Sequence, residues 1–233
     1  AVAYRLGGPA APFLVNPAMA LLSVVGMYLI GQILFGRLAG VLAAFLLGLH
    51  PIYLYYGLRP MSHATATCCV IWGMYFLCHW LKRRSWPSAF LAGAVTAFAG
   101  AVRSADILLL LAPLTLAAWG VVEAWRAAAL DWGAAGTRRA VREAGAMGVG
   151  IAAGLAPLLF YQWLAFGAPW ITGYSFCDES SAFSWAWFCA HLLPALRCLL
   201  QPTYGLGYLL PLGLLGIGWL LIRRPKQGWI LLL

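Results

Sequence analysis

Residues 17–57, PAMALLSVVGMYLIGQILFGRLAGVLAAFLLGLHPIYLYYG, decide the fold. The stretch holds one charged residue, Arg37, and no acid. A span of the hydrocarbon core takes about 20 apolar residues as a helix, because every backbone polar group must be satisfied inside the segment. The run is long enough for two such helices, and Gly36-Arg37 is the place to divide it. We read spans at 17–35 and 38–57. Pro51 lies late in the second and is expected to kink or end it, since proline removes a donor and crowds the preceding turn. The rest of the chain agrees with this reading: 64% of its 233 residues are hydrophobic and only 9% charged, against roughly 25% charged in a soluble domain. Such a surface cannot be solvated all round, so a water-soluble globule is excluded.

Working outward, further spans are expected at 61–81, 88–102, 105–122, 144–166 and 205–222. An eighth begins near 228 and is cut off. Residues 1–16 read as the tail of an outer loop, and 17–233 as one transmembrane helical domain: an all-α, polytopic membrane protein. Ala1 in place of Met, and Leu231, Leu232 and Leu233 ending inside an apolar run, give the expectation of a fragment cut at both ends. If residues 1–16 are extracytoplasmic, the inner loops hold Arg37, Lys82, Arg83, Arg84, Arg126, Arg138, Arg139, Arg142, Arg223, Arg224 and Lys226. The outer loops hold only Arg5, Arg59, Arg103 and Arg197. Positive charge sets orientation by remaining inside, so the net charge of +9 is a membrane signal and implies no nucleic acid. Segment 123–143 is expected as an amphipathic inner helix facing headgroups. Outer loop 167–204 is expected to carry an interfacial helix at 182–200. The twelve Trp and ten Tyr suit two membrane–water interfaces. Cys68, Cys69 and Cys78 read as small buried residues. Cys177 and Cys189 either pair, if extracytoplasmic, or stay free.

Candidate site residues collect on the outer face. Arg59 and His63 are four residues apart across a turn and can share one vestibule. Arg offers a fork to phosphate oxygens, and His63 can donate to phosphate or move a proton; alternatively, Arg59 snorkels to headgroups and His63 merely opens a helix. Arg103 and Asp106 flank a tight connection between two short spans. They either pair and cap the helix ends or form a polar floor under a cavity. Asp178 and Glu179 are adjacent carboxylates for a cation or sugar hydroxyls, or a solvated loop tip, and Tyr174 offers a ring for a sugar. No metal cluster and no soluble nucleotide-binding motif is present. An enzyme on this face has no nucleotide supply and must take activated groups from lipid carriers.

The run Phe35-Gly36-Arg37-Leu38-Ala39-Gly40-Val41-Leu42-Ala43-Ala44 with His50-Pro51 resembles bacterial members of the GT-C glycosyltransferase superfamily, the dolichyl-phosphate-mannose protein mannosyltransferase-like and aminoarabinose-transferase-like enzymes. The likeness continues in Met61-Ser62-His63, in Leu91-Ala92-Gly93 leading to Val102-Arg103, and in Phe166-Gly167-Ala168-Pro169 leading to Gly173-Tyr174. It ends in Pro202-Thr203-Tyr204-Gly205-Leu206 leading to Pro211. The resemblance implies an inverting, multi-span transferase that uses a polyprenyl-phosphate-linked sugar. Its acceptor would be a lipid, protein or glycan hydroxyl at the extracytoplasmic face of a bacterial inner membrane. It also implies an acidic catalytic base in a large outer loop, expected upstream of residue 1, so the fragment alone is expected to be inactive. The family's usual Arg-Pro appears here as Arg103-Ser104. No cofactor is implied with certainty, a divalent cation at most. The rival readings are a transporter or flippase for lipid-linked sugars and, third, a scaffold subunit. Transport would favour mid-membrane charge and matched, broken repeats, which the spans lack.

Overall fold

The computed structural model describes residues 2–129, 134–171, 184–201 and 209–223, and every regular element among them is helical. The chain divides into two compact units, residues 1–157 and 158–233. The first contains α1 (Val2–Gly7), α2 (Ala11–Phe35), α3 (Arg37–Gly48), α4 (Pro51–Gly57), α5 (Ser62–Arg83), α6 (Trp86–Val102), a 3-10 helix (Ser104–Leu110), α7 (Leu111–Ala129) and most of α8 (Ala134–Phe166).

Proline and glycine set the breaks. Helix α2 begins at Ala11, ahead of the expected position 17. Pro12 sits in the first turn, where no N–H is required, and Pro17 is carried inside the helix. The residues before it, expected as an irregular tail, are helical at Val2–Gly7 and turn at Gly8, whose φ of +71° suits a residue without a Cβ. Gly36 (φ +101°) separates α2 from α3 with no intervening loop. The two backbones then touch: a Cβ on Gly31 would lie 2.6 Å from Gly40 Cα. Pro51 does bend the second apolar run. His50 before it is extended, at ψ 122°, as a residue preceding proline must be, and α3 and α4 meet at 65°.

Ala11–Phe35, Ser62–Arg83 and Gly136–Phe166 are long and apolar enough to cross a membrane, and α3 with α4 makes a fourth candidate if the bent pair is one span. Trp86–Val102 and Asp106–Val122 are apolar but shorter. Among the described residues three or four helices therefore pass by length and composition, against the seven spans expected, and the region near 228 lies outside the described residues. Segment 123–143 is not a separate amphipathic helix either: its start extends α7 to Ala129, and its end is the first part of α8. The cause is visible in Glu143, which turns inward to protein partners instead of facing headgroups.

Small residues let α6 and α8 pack backbone to backbone. A Cβ on Gly150 would meet Phe90 O, and one on Gly154 would meet Ala94 O. Facing them, Ala89, Ala97 and Gly93 of α6 are buried. This is the small-residue seam that brings helices together where no hydrophobic drive separates them from lipid.

In the second unit, α9 (Trp185–Leu200) falls within the expected helix at 182–200, and α10 (Leu209–Arg223) lies on the apolar segment expected at 205–222, whose first four residues are outside the described ones. Ser184 caps α9, its hydroxyl accepting from Trp187 N at 3.2 Å. Cys189 is exposed on α9, and its candidate partner Cys177 lies outside the described residues.

Candidate functional site

Two polar clusters flank α5. At its N-terminal end, the chain leaves α4 at Gly57, turns through Leu58-Arg59-Pro60-Met61, and enters α5 at Ser62. The turn is tight: Met61 N donates to Arg59 O at 2.8 Å. Asn16 of α2 reaches across to it, Nδ2 donating to Arg59 O and, at 2.6 Å, to Met61 O.

The side chains of this end form a line. The Arg59 guanidinium lies over the Tyr55 ring, 4.0 Å from its centre. Tyr55 meets Tyr56 edge-on at 5.3 Å, and Tyr56 meets the His63 imidazole at 4.4 Å. Arg103, at the C-terminal end of α6, donates from Nη1 to His63 Nδ1 at 2.6 Å. Arginine has no acceptor, so Nδ1 must receive this bond and the ring is neutral in this geometry. Three rings thus join two guanidinium groups.

Asp106 follows in the 3-10 helix, its backbone N donating to Arg103 O at 2.9 Å. Among the described residues no ion pair joins Asp106 to Arg103. Of the two readings for that connection, the capping pair is absent and Arg103 turns to His63 instead. The structure therefore brings together Arg59, His63 and Arg103 and sets Asp106 next to them in the chain. Tyr174, Asp178 and Glu179 lie outside the described residues. No three His, Cys, Asp or Glu side chains gather as a metal site among the described residues.

The family model for dolichyl-phosphate-mannose-protein mannosyltransferase matches residues 9–137, more than half of the chain. The chain belongs to this family. As a member, it is a membrane glycosyltransferase of the GT-C type. No curated protein and no solved structure matched in the corresponding searches. The family match runs from the start of α2 into α8 and so contains every residue of the Arg59–Arg103 line and Asn16.

The second cluster of this mannosyltransferase-family chain lies at the other end of α5. Glu143 of α8 has no exposed surface. Trp80 Nε1 donates to its Oε2 at 2.9 Å, Arg139 Nε donates to its Oε1 at 2.9 Å, and Arg84 Nε lies 3.3 Å from Oε2. Arg139 also donates to Arg84 O at 2.6 Å. Arg84 itself adopts the left-handed conformation, φ 51°, that ends α5. Sequence reading counted Arg84 and Arg139 only as orienting charges. One signal was available, the i,i+4 spacing of Arg139 and Glu143 on a helix, but nothing in it pointed to Trp80, 63 residues away. Asn16 was missed for a similar reason, having been placed in a loop tail.

Proposed function

We propose that the chain transfers a sugar from a polyprenyl-phosphate carrier to an acceptor hydroxyl at the extracytoplasmic face of a bacterial inner membrane, and that Arg59, His63 and Arg103 recognise the carrier's phosphate. The observation that carries this is the line of residues from Arg59 to Arg103: two guanidinium groups at one end of α5, held by rings and an imidazole rather than by a carboxylate.

Breaking the bond between the anomeric carbon and the phosphate oxygen leaves negative charge on the polyprenyl phosphate. Fixed cations stabilise that charge as it develops. Arg103 can turn from a neutral imidazole to phosphate at little cost, because an anion is the stronger partner. An acidic base must take the acceptor's proton as its oxygen attacks the sugar, and we assign that role to none of the described residues. Tyr174 would stack on a sugar ring, and Asp106, Asp178 and Glu179 would hold sugar hydroxyls or a divalent ion.

The distribution of Lys and Arg supports placing the Arg59 end outside. On this reading the chain makes seven spans: α6 and α7, the shorter ones, both run from the outer Arg103 turn toward the inner face, and α9 lies in the interface with its exposed Trp185, Trp187 and Phe188. The acceptor is a lipid, protein or glycan. Transport of lipid-linked sugars is not favoured by the family.

The test is binding of polyprenyl phosphate to the chain in lipid nanodiscs. Arg103→Ala is expected to weaken it about 10- to 100-fold, the value of one charge-assisted hydrogen bond. Arg59→Ala acts in the same direction. Undiminished binding in both variants overturns the assignment.

A further inference from the structure

The carboxamide of Asn16 is almost fully committed to one short turn on another helix. Asn16 lies in α2, is 6% exposed, and makes its contacts across 43 to 49 residues of sequence. Both carbonyls it meets, those of Arg59 and Met61, can only accept, so they fix the NH2 side of the amide toward the turn. Thr65 Oγ1, one turn into α5, then donates to the remaining Oδ1 at 3.2 Å. The amide cannot flip without facing two acceptors with a third, so its orientation is determined by its neighbours.

The turn has no comparable anchor of its own. Leu58, Arg59, Pro60 and Met61 are all exposed. Between α4 and α5 it is stabilised by the bond from Met61 N to Arg59 O and by the ring of Pro60. Arg59 O therefore accepts twice, once from its own turn and once from α2. Among the described residues the Arg59 side chain has a single ring contact, with Tyr55, itself a 48% exposed residue. A cation over an exposed ring is a weak contact, too weak to hold a long side chain in one place. Where Arg59 is presented is decided by its backbone, and its backbone is fastened by Asn16.

We infer that Asn16 is a positioning residue for phosphate recognition: it fastens the Arg59–Met61 turn to α2 and so fixes the origin of the Arg59 side chain. This rests on the proposed role of Arg59, and a double-mutant cycle separates the two. Polyprenyl phosphate binding is measured in nanodiscs for the native chain, Asn16→Ala, Arg59→Ala and the double variant, with thermal unfolding of each. If Asn16 acts through Arg59, its removal weakens binding about tenfold in the native background and less than about twofold once Arg59 is gone, because coupled residues are not additive. Equal factors in the two backgrounds show a general structural role and overturn the inference. So does native affinity in Asn16→Ala while Arg59→Ala still weakens binding. Native affinity in both Arg59→Ala and Arg103→Ala removes the functional reading itself, and the inference with it. Should Asn16→Ala not fold, Thr65→Val loosens the same amide from its other side and is expected to give the same pattern at a few-fold magnitude.

Discussion

At the C-terminal end of α5 a carboxylate with no exposed surface, Glu143, is held by an indole N–H and two guanidinium groups. At the N-terminal end, about 33 Å away for 22 residues at 1.5 Å rise, two guanidinium groups are held by a tyrosine face and a neutral imidazole. Both ends carry two guanidinium groups, but only the C-terminal one holds a carboxylate among them. A carboxylate taken out of water needs charge and hydrogen bonds to replace the water it lost. Glu143 has both, and its carboxylate has no exposed surface left. The Arg59–Arg103 line has cations whose partners carry no charge, and a phosphate outcompetes such partners. On the proposed function, the same helix ends in a structural lock on one side and a phosphate-binding surface on the other. The spacing is close to the roughly 30 Å of a bilayer core, which puts the two clusters where interfaces would lie.

The contrast breaks most visibly at Glu143. Arg84 and Arg139, 37% and 53% exposed, can turn to water when Glu143 is removed, but the buried Trp80 cannot, and an orphaned buried donor costs about 1–3 kcal/mol. With the space the side chain leaves, Glu143→Ala is expected to lower stability by about 3 kcal/mol and to loosen α8 from the end of α5, read as a lowered thermal unfolding midpoint in detergent or nanodiscs. Arg103→Ala, measured alongside, should move that transition little. If the two variants shift stability equally, the Arg59–Arg103 line is as structural as the Glu143 cluster, and the distinction fails.

Trp80→Phe is a smaller probe of the same lock. It keeps a ring near the Arg84 guanidinium, which lies 5.1 Å from the Trp80 ring, and deletes the N–H that reaches Glu143 Oε2 together with part of a fully buried ring. One hydrogen bond to a buried charge is worth about 1.5–3 kcal/mol. The two arginines remain, so a loss near the lower figure is expected, with polyprenyl phosphate binding unchanged. A loss of binding would mean that the two ends of α5 are coupled.

How far each cluster could be read from the sequence follows from the range of its contacts. The break at Gly36, the bend at Pro51 and the extents of α5 and α6 are written in local residue types, and the structure places them within two residues of where those residues put them. Arg59, His63 and Arg103 stood out because charge is scarce in this chain, although their joining through Tyr55 and Tyr56 did not. Glu143 and Asn16 were invisible for the converse reason. An acid in a basic segment looks solvated, and an Asn among Gly and Pro looks like loop. Only partners 43 to 63 residues away give them meaning. The start of α2 lies six residues ahead of the expected position 17 because a segment rich in Gly and Pro reads as loop, whereas Pro12 occupies the helix's first turn and Pro17 is carried inside it.

The finest test concerns His63. His63→Phe keeps a ring against Tyr56 and removes the Nδ1 that accepts from Arg103. Arg103 is partly exposed, so its guanidinium can exchange the lost acceptor for water, and stability should change by less than about 1 kcal/mol. The effect on polyprenyl phosphate binding separates two roles for the imidazole. If His63 only parks the guanidinium between ligands, its loss frees Arg103 and affinity changes about threefold or less, since the surrendered bond is exchanged for water in the same way as any exposed one. If the imidazole itself donates to phosphate, the loss approaches that of Arg103→Ala. A stability loss like that of Glu143→Ala would instead mean that this end of α5 is also locked, and that its arginines are spoken for. With Nδ1 accepting from Arg103, the ring's proton sits on Nε2, and that N–H is the donor the imidazole offers to phosphate.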